Sequence, residues 1–299
     1  MVEEIQIVEV GPRDGLQNEQ TTIPTTMKLQ LVEQLVHAGV RQIEVSSFVS
    51  PKWVPQMADH QELFQQLHRE PQVRYIGLVP NVHGLHSALA VNTPCIAVFT
   101  AASETFSLRN INCSIEDSFQ RIEQVMIEAK AHHIPVRGYV SCVMGCPYEG
   151  DIPVKQVISV VERLLSLGCY EVSLGDTIGV GTAPRVKQLL SALIQSVPVN
   201  QLAAHFHDTY AQALVNLYVA LEQGIRTIDS SVAGLGGCPY ARGAGGNVAT
   251  EDVVYLVEGL GFKTGINLPA LSAAGQVVTD YLGITPRSRV ALALRSEKM

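Results

Sequence analysis

The chain has 299 residues, 46% hydrophobic and 16% charged, with a formal net charge of −7. It is long enough to bury a large core as one α/β barrel of ~250 residues or as two smaller domains. The acidic balance, without any basic run, argues against a nucleic-acid partner, and no apolar stretch approaches the ~20 residues that cross a bilayer.

Met1-Val2-Glu3-Glu4 is acidic and runs at once into a strand, which speaks against a signal or transit peptide. Cysteines stand at 95, 113, 142, 146, 169 and 238, none in a Cys-x-x-Cys pair, and read as free thiols of a reducing, cytoplasmic setting. A junction then recurs along the chain: helix end, glycine, short apolar strand. Val36-His37-Ala38-Gly39-Val40 opens one copy, Ser166-Leu167-Gly168-Cys169 another, and Glu222-Gln223-Gly224-Ile225 a third. Glycine ends a helix by accepting the left-handed conformation after the C-cap, and the β-branched or apolar residues that follow suit a buried parallel strand.

Reading outward from these junctions predicts eight strands, near 5–10, 42–46, 74–79, 95–100, 136–143, 171–176, 202–207 and 227–233. Amphipathic helices fill the gaps. One spans Thr26 to Ala38, one begins at Ser114 with a capping-type signal, and one begins at Thr182-Ala183-Pro184, where proline suits the first turn. Eight β/α units predict a (β/α)8 TIM barrel over about residues 4–262, with an extra C-terminal helical segment over 263–299 that contains one helix, Leu268 to Leu282. No linker divides the chain, so 1–299 reads as a single catalytic domain. A doubly wound sheet is the weaker choice, because no Gly-x-Gly-x-x-Gly follows the first strand.

In a TIM barrel the chemistry sits at the C-terminal ends of the strands. Arg13 and Asp14 follow strand 1, Glu44 lies in strand 2, Asp176 ends strand 6, and His205 and His207 end strand 7. Side chains two apart on a strand share a face, so the two histidines project together. The glycine-rich run Gly234 to Asn247 follows strand 8. Asp14, His205 and His207, with Asn247 as a fourth donor, make a mixed nitrogen–oxygen set suited to Mg²⁺ or Mn²⁺ with positions left for substrate. Taken singly, Asp14 reads equally as a turn cap and Asn247 as a helix N-cap.

Three segments resemble the hydroxymethylglutaryl-CoA lyase family: Val10-Gly11-Pro12-Arg13-Asp14-Gly15-Leu16-Gln17-Asn18-Glu19, Glu44-Val45-Ser46-Ser47-Phe48-Val49-Ser50-Pro51-Lys52-Trp53-Val54-Pro55-Gln56, and the cysteine loop Gly234-Leu235-Gly236-Gly237-Cys238-Pro239-Tyr240-Ala241. The resemblance implies cleavage of 3-hydroxy-3-methylglutaryl-CoA to acetyl-CoA and acetoacetate, a small-molecule acyl-CoA as partner, and a homodimer. The residues can be matched to that reaction. Metal coordination lowers the pKa of the tertiary hydroxyl, Asp14 or His205 takes its proton, Arg13 binds substrate and faces the enolate oxygen, and Cys238 protonates the enolate carbon. Glu44 either orients Arg13 or a bound water, or forms a structural salt bridge; Asp176 is equally open. Ser47 and Asn110 are candidate CoA contacts. Two other functions compete: a synthase of the isopropylmalate or homocitrate type condensing acetyl-CoA with a 2-oxo acid, and a non-catalytic metal barrel that binds acyl-CoA.

Overall fold

Eight parallel strands close on themselves: β1 (Gln6–Glu9), β2 (Gln42–Ser47), β3 (Arg74–Leu78), β4 (Cys95–Ala101), β5 (Val136–Ser141), β6 (Glu171–Asp176), β7 (Leu202–Phe206) and β8 (Thr227–Ser230). Each strand pairs with its sequence neighbours, and β1 pairs with β8 to complete the barrel. The computed structural model describes residues 2–17, 19–237 and 245–296. The expected TIM barrel is the observed fold.

The junction glycines behave as their positions require. Gly39, Gly168 and Gly224 have φ of 103°, 107° and 92°, a left-handed backbone that costs glycine little and other residues more. At Gly39 the need is double, since a Cβ would lie 2.3 Å from the Gly265 carbonyl oxygen. The Ser114 signal is a full capping box: its hydroxyl accepts from the Asp117 amide, and the Asp117 carboxylate accepts from the Ser114 amide.

β5 and β8 fall shortest of their expected ends, each at a left-handed turn. β5 stops at Ser141 because Cys142 turns to φ 63°, and β8 stops at Ser230 because the chain enters a 3-10 turn, Val232–Gly234, in which Ala233 and Gly234 have φ of 58° and 67°. Cys142 and Ala233 carry no compositional turn signal. The tail also differs from expectation. Leu268–Leu282 is helical, but a second helix, Arg289–Ser296, follows it. Asp252 caps this helix, its Oδ1 accepting from the Ser288 hydroxyl at 2.7 Å and the Val290 amide at 2.9 Å.

Apolar side chains fill the layer between strands and helices, and a smaller set inside the barrel includes Val8, Val10, Ile76, Leu78 and Tyr139. The rest of the interior is polar, with a Gln6–Gln42 pair and a set of buried ion pairs. Arg137 on β5 has no exposed surface, and it reaches Glu171 on β6 at 2.8 Å and Asp229 on β8 at 2.7 and 3.0 Å. A charge so deep is tolerated only when paired and hydrogen-bonded. This network forms the floor of the barrel mouth.

Candidate active site

β1 leads into a tight turn, Gly11–Gly15, in which the amides of Arg13, Asp14 and Gly15 all donate to the Val10 carbonyl, at 3.1, 2.7 and 3.1 Å. The turn needs its glycines: a Cβ on Gly11 would stand 2.5 Å from Glu9 Oε1, and one on Gly15 would stand 2.7 Å from the Ser231 hydroxyl. Its effect is to bring Arg13 and Asp14 to the end of the barrel where β7 delivers its histidines.

Asp14, His205 and His207 offer ligand atoms that all lie within 4.8 Å of one another. His205 Nε2 is 3.9 Å from Asp14 Oδ2. Asn247 joins them, its Nδ2 donating to Asp14 Oδ2 at 2.8 Å, and it pairs with His207 in a short antiparallel bridge. Neither capping role applies. Asp14 binds side chains rather than turn amides, and the helix Thr250–Gly259 begins three residues beyond Asn247 with no side-chain cap.

The electrostatics suit a cation. Burial pushes the Asp14 carboxyl up, but Arg13 at 2.5 Å and the nearby imidazoles pull it down to about 2. Burial and the neighbouring His205 push His207 down to about 4, so it stays neutral and keeps a lone pair at neutral pH. Its buried Nδ1 makes no well-formed hydrogen bond among the described residues. An ionised carboxylate beside a neutral imidazole that keeps a lone pair is a set that fits a divalent ion.

His205 is held from behind. Its Nδ1 donates to Asp229 Oδ2 at 3.2 Å. That carboxylate also accepts from the Ser173 hydroxyl at 2.7 Å and from both Nη atoms of Arg137. Burial works against the Asp229 charge, yet Arg137 and His205 keep the carboxyl far below the usual range. Burial lowers His205 and Asp229 raises it further, leaving it above its ordinary value. A carboxylate behind a ligand imidazole fixes its tautomer and orientation.

Glu44, fully buried, binds Arg13 through one oxygen, Oε2, which accepts from Nε at 2.8 Å and lies 2.7 Å from Nη2. A register shift in β2 between Glu44 and Ser46 bends the strand there, as bulges near functional sites do. The Tyr139 hydroxyl donates to the same Oε2 at 3.3 Å and accepts from Arg137 at 2.8 Å. Glu44 therefore sits in the ion pair that holds Arg13 beside Asp14. Burial pushes its carboxyl up against the pull of Arg13.

The remaining expectations separate. Asp176 closes the loop after β6, accepting from the Val180 and Gly181 amides at 3.1 and 2.8 Å, with burial raising its carboxyl to about 6. Ser47 is buried at the end of β2, its hydroxyl unpartnered among the described residues, and Asn110 is exposed on the helix Glu104–Ile111. Cys238 lies outside the described residues. Sequence reasoning missed Arg137, Tyr139, Glu171, Ser173 and Asp229. Their signal was polar residues at alternate positions inside apolar strands, the pattern of groups facing a barrel interior.

The HMGL-like family model matches residues 4–278. The chain belongs to this family. A cytoplasmic 3-hydroxy-3-methylglutaryl-CoA lyase of Rattus norvegicus is 54% identical over 97% of this chain and 85% of its own, and a mitochondrial hydroxymethylglutaryl-CoA lyase of Bos taurus is 54% identical over 97% and 89%. The crystal structure of hydroxymethylglutaryl-CoA lyase from Pseudomonas aeruginosa superposes with a TM-score of 0.97 at 54% identity, covering 99% of both chains. An HMG-CoA lyase from Acinetobacter baumannii, solved with coenzyme A and 3-methylmalate, gives 0.92 at 37% identity over 97% of this chain and 95% of that one. No helix among the described residues is long and apolar enough to cross a membrane.

Proposed function

We propose that this member of the HMGL-like family is a divalent-cation-dependent carbon–carbon lyase that cleaves 3-hydroxy-3-methylglutaryl-CoA to acetyl-CoA and acetoacetate. The observation that carries the reading is the convergence of Asp14, His205 and His207 within 4.8 Å at the mouth of a barrel of this family. These three and Asn247 would hold the ion. Their oxygen and nitrogen donors suit Mg²⁺ or Mn²⁺. When bound, such an ion makes a substrate hydroxyl more acidic.

The chain's own residues supply the remaining steps. The tertiary hydroxyl gives its proton to Asp14 or His205. His205 serves only when its Nε2 is off the ion, because its Nδ1 is committed to Asp229. The electron pair of the breaking C–C bond moves into the acetyl thioester as an enolate. Arg13, fixed by Glu44, faces that negative oxygen, and one preorganised donor of this kind is worth about 3 kcal/mol. Cys238 then delivers a proton to the enolate carbon, matching the one lost from the hydroxyl. The acyl-CoA assignment is supported by the coenzyme A bound to the A. baumannii neighbour. A single catalytic domain is supported by the tail, which caps its last helix on Asp252 of the barrel. A cytoplasmic setting accords with the five described cysteines, all free and buried.

One assay decides. Purified protein with Mg²⁺ or Mn²⁺ and 3-hydroxy-3-methylglutaryl-CoA should release acetoacetate, and EDTA should abolish the release. Condensation of acetyl-CoA with a 2-oxo acid, without cleavage, would replace the lyase reading with a synthase. Binding without turnover would leave a non-catalytic acyl-CoA barrel.

A further inference from the structure

We propose that Arg287, on the C-terminal extension, is a positioning residue that clamps the base of the glycine-rich loop and so sets Asn247 against Asp14. The inference rests on Asn247 being a cation ligand. Arg287 touches the loop through both backbone and side chain. Its amide donates to the Ala233 carbonyl at 2.9 Å, and its Nη1 donates to the Gly236 carbonyl and, at 3.5 Å, to that of Gly234. Gly234 is at φ 67°, and a Cβ there would press to 2.9 Å from the Cβ of Arg287. On the returning arm of the loop, the position of a Cβ on Gly245 is 3.7 Å from Arg287 Cδ.

The clamped carbonyl is also the one that closes the loop. Gly236 O accepts from the Gly246 amide at 3.1 Å, Gly237 and Gly245 bridge beside it, and the Gly246 carbonyl accepts from the Asp208 amide at 2.7 Å. Asn247 follows directly. Its Nδ2 donates to the Leu235 carbonyl at 3.4 Å as well as to Asp14, and a Cβ on Gly236 would stand 2.9 Å from that nitrogen. A shift of Gly236 therefore moves Asn247. The clamp itself is fixed, because Ser288 is buried and tied with Arg289 and Val290 to Asp252. The loop after β1 faces it too: Glu19, raised by burial, is lowered in turn by the Arg287 charge. Arg287 is exposed, so its removal leaves the core intact.

The test uses the full chain and two readouts that need no turnover. In metal-free protein, Arg287→Met should speed hydrogen exchange at the Gly246 amide while the barrel strands exchange as before. Mn²⁺ affinity, read by electron paramagnetic resonance, should fall about tenfold, the scale of one charge-assisted hydrogen bond. Arg287→Lys should restore part of that affinity. In an Asn247→Ala background, Arg287→Met should cost nothing more, as for two residues acting through one contact. Unchanged exchange at Gly246, unchanged Mn²⁺ affinity, or a loss that simply adds to that of Asn247→Ala would each overturn the proposal. Should the wild-type protein fail to cleave 3-hydroxy-3-methylglutaryl-CoA, the substrate reading falls while these readouts still decide the role of Arg287.

Discussion

Asp229 stands beside His205 in the β7–β8 register, and its Oδ2 accepts the hydrogen bond from His205 Nδ1 at 3.2 Å. The contact leaves Nε2 as the atom facing Asp14. Asp229→Asn should therefore weaken Mn²⁺ binding by about 10- to 100-fold, as the loss of a partner behind a ligand imidazole does elsewhere. A Mn²⁺ titration on protein shown to be folded by circular dichroism measures this. Wild-type affinity would remove Asp229 from the support of the site.

Arg13 is next to the donor set rather than in it, held by Glu44 at 2.8 Å. Arg13→Gln should retain Mn²⁺ binding yet lose ~10² or more in kcat, the cost of one preorganised donor. If turnover survives unchanged, Arg13 has no part in stabilising the enolate.

Cys238 and Cys95 make a matched pair of substitutions. Cys95 is packed inside the barrel, where burial pushes its thiol up to about 11, and it has no route to substrate. Cys238→Ser should slow turnover far more than Cys95→Ser, with thermal stability measured for both. Equal effects on turnover would return Cys238 to a packing role.

Glu251 accepts from the Ala233 amide through both carboxylate oxygens, and burial, helped by the nearby Glu9, raises it from 4.5 to about 8. Between those values the folded state holds a proton that the unfolded state has released, so this group's contribution to stability falls as pH rises. Glu251→Gln cannot ionise. The Tm of the variant minus that of the wild type should grow from pH 5 to pH 8. Parallel melting curves across that range would show that Glu251 is already ionised in the fold.

The barrel was legible from short-range spacing, and the barrel in turn placed Asp14 and Asn247 at the same rim as the two histidines. Glycine junctions gave the helix ends, the short apolar runs after them gave the strands, and His205 and His207 share a face by strand geometry alone. The interior network was not legible. Arg137 and Asp229 are 92 residues apart in sequence, and nothing local says which buried charge meets which. The ends of β5 and β8 were misjudged because Cys142 and Ala233 adopt a left-handed backbone that their side chains do not announce. The helix Arg289–Ser296 escaped because eight residues hold too few turns for a periodic signal, and its start is set by Asp252 on another helix.

Buried ion networks in many proteins can be exchanged for apolar packing with little loss, and sometimes with a gain. Arg137 does not offer that freedom. Through Asp229 it supports His205, and through Tyr139 it meets Glu44 and hence Arg13. A redesign that greased the middle of this barrel for heat resistance would take away, from below, what holds His205 and Arg13 at its mouth.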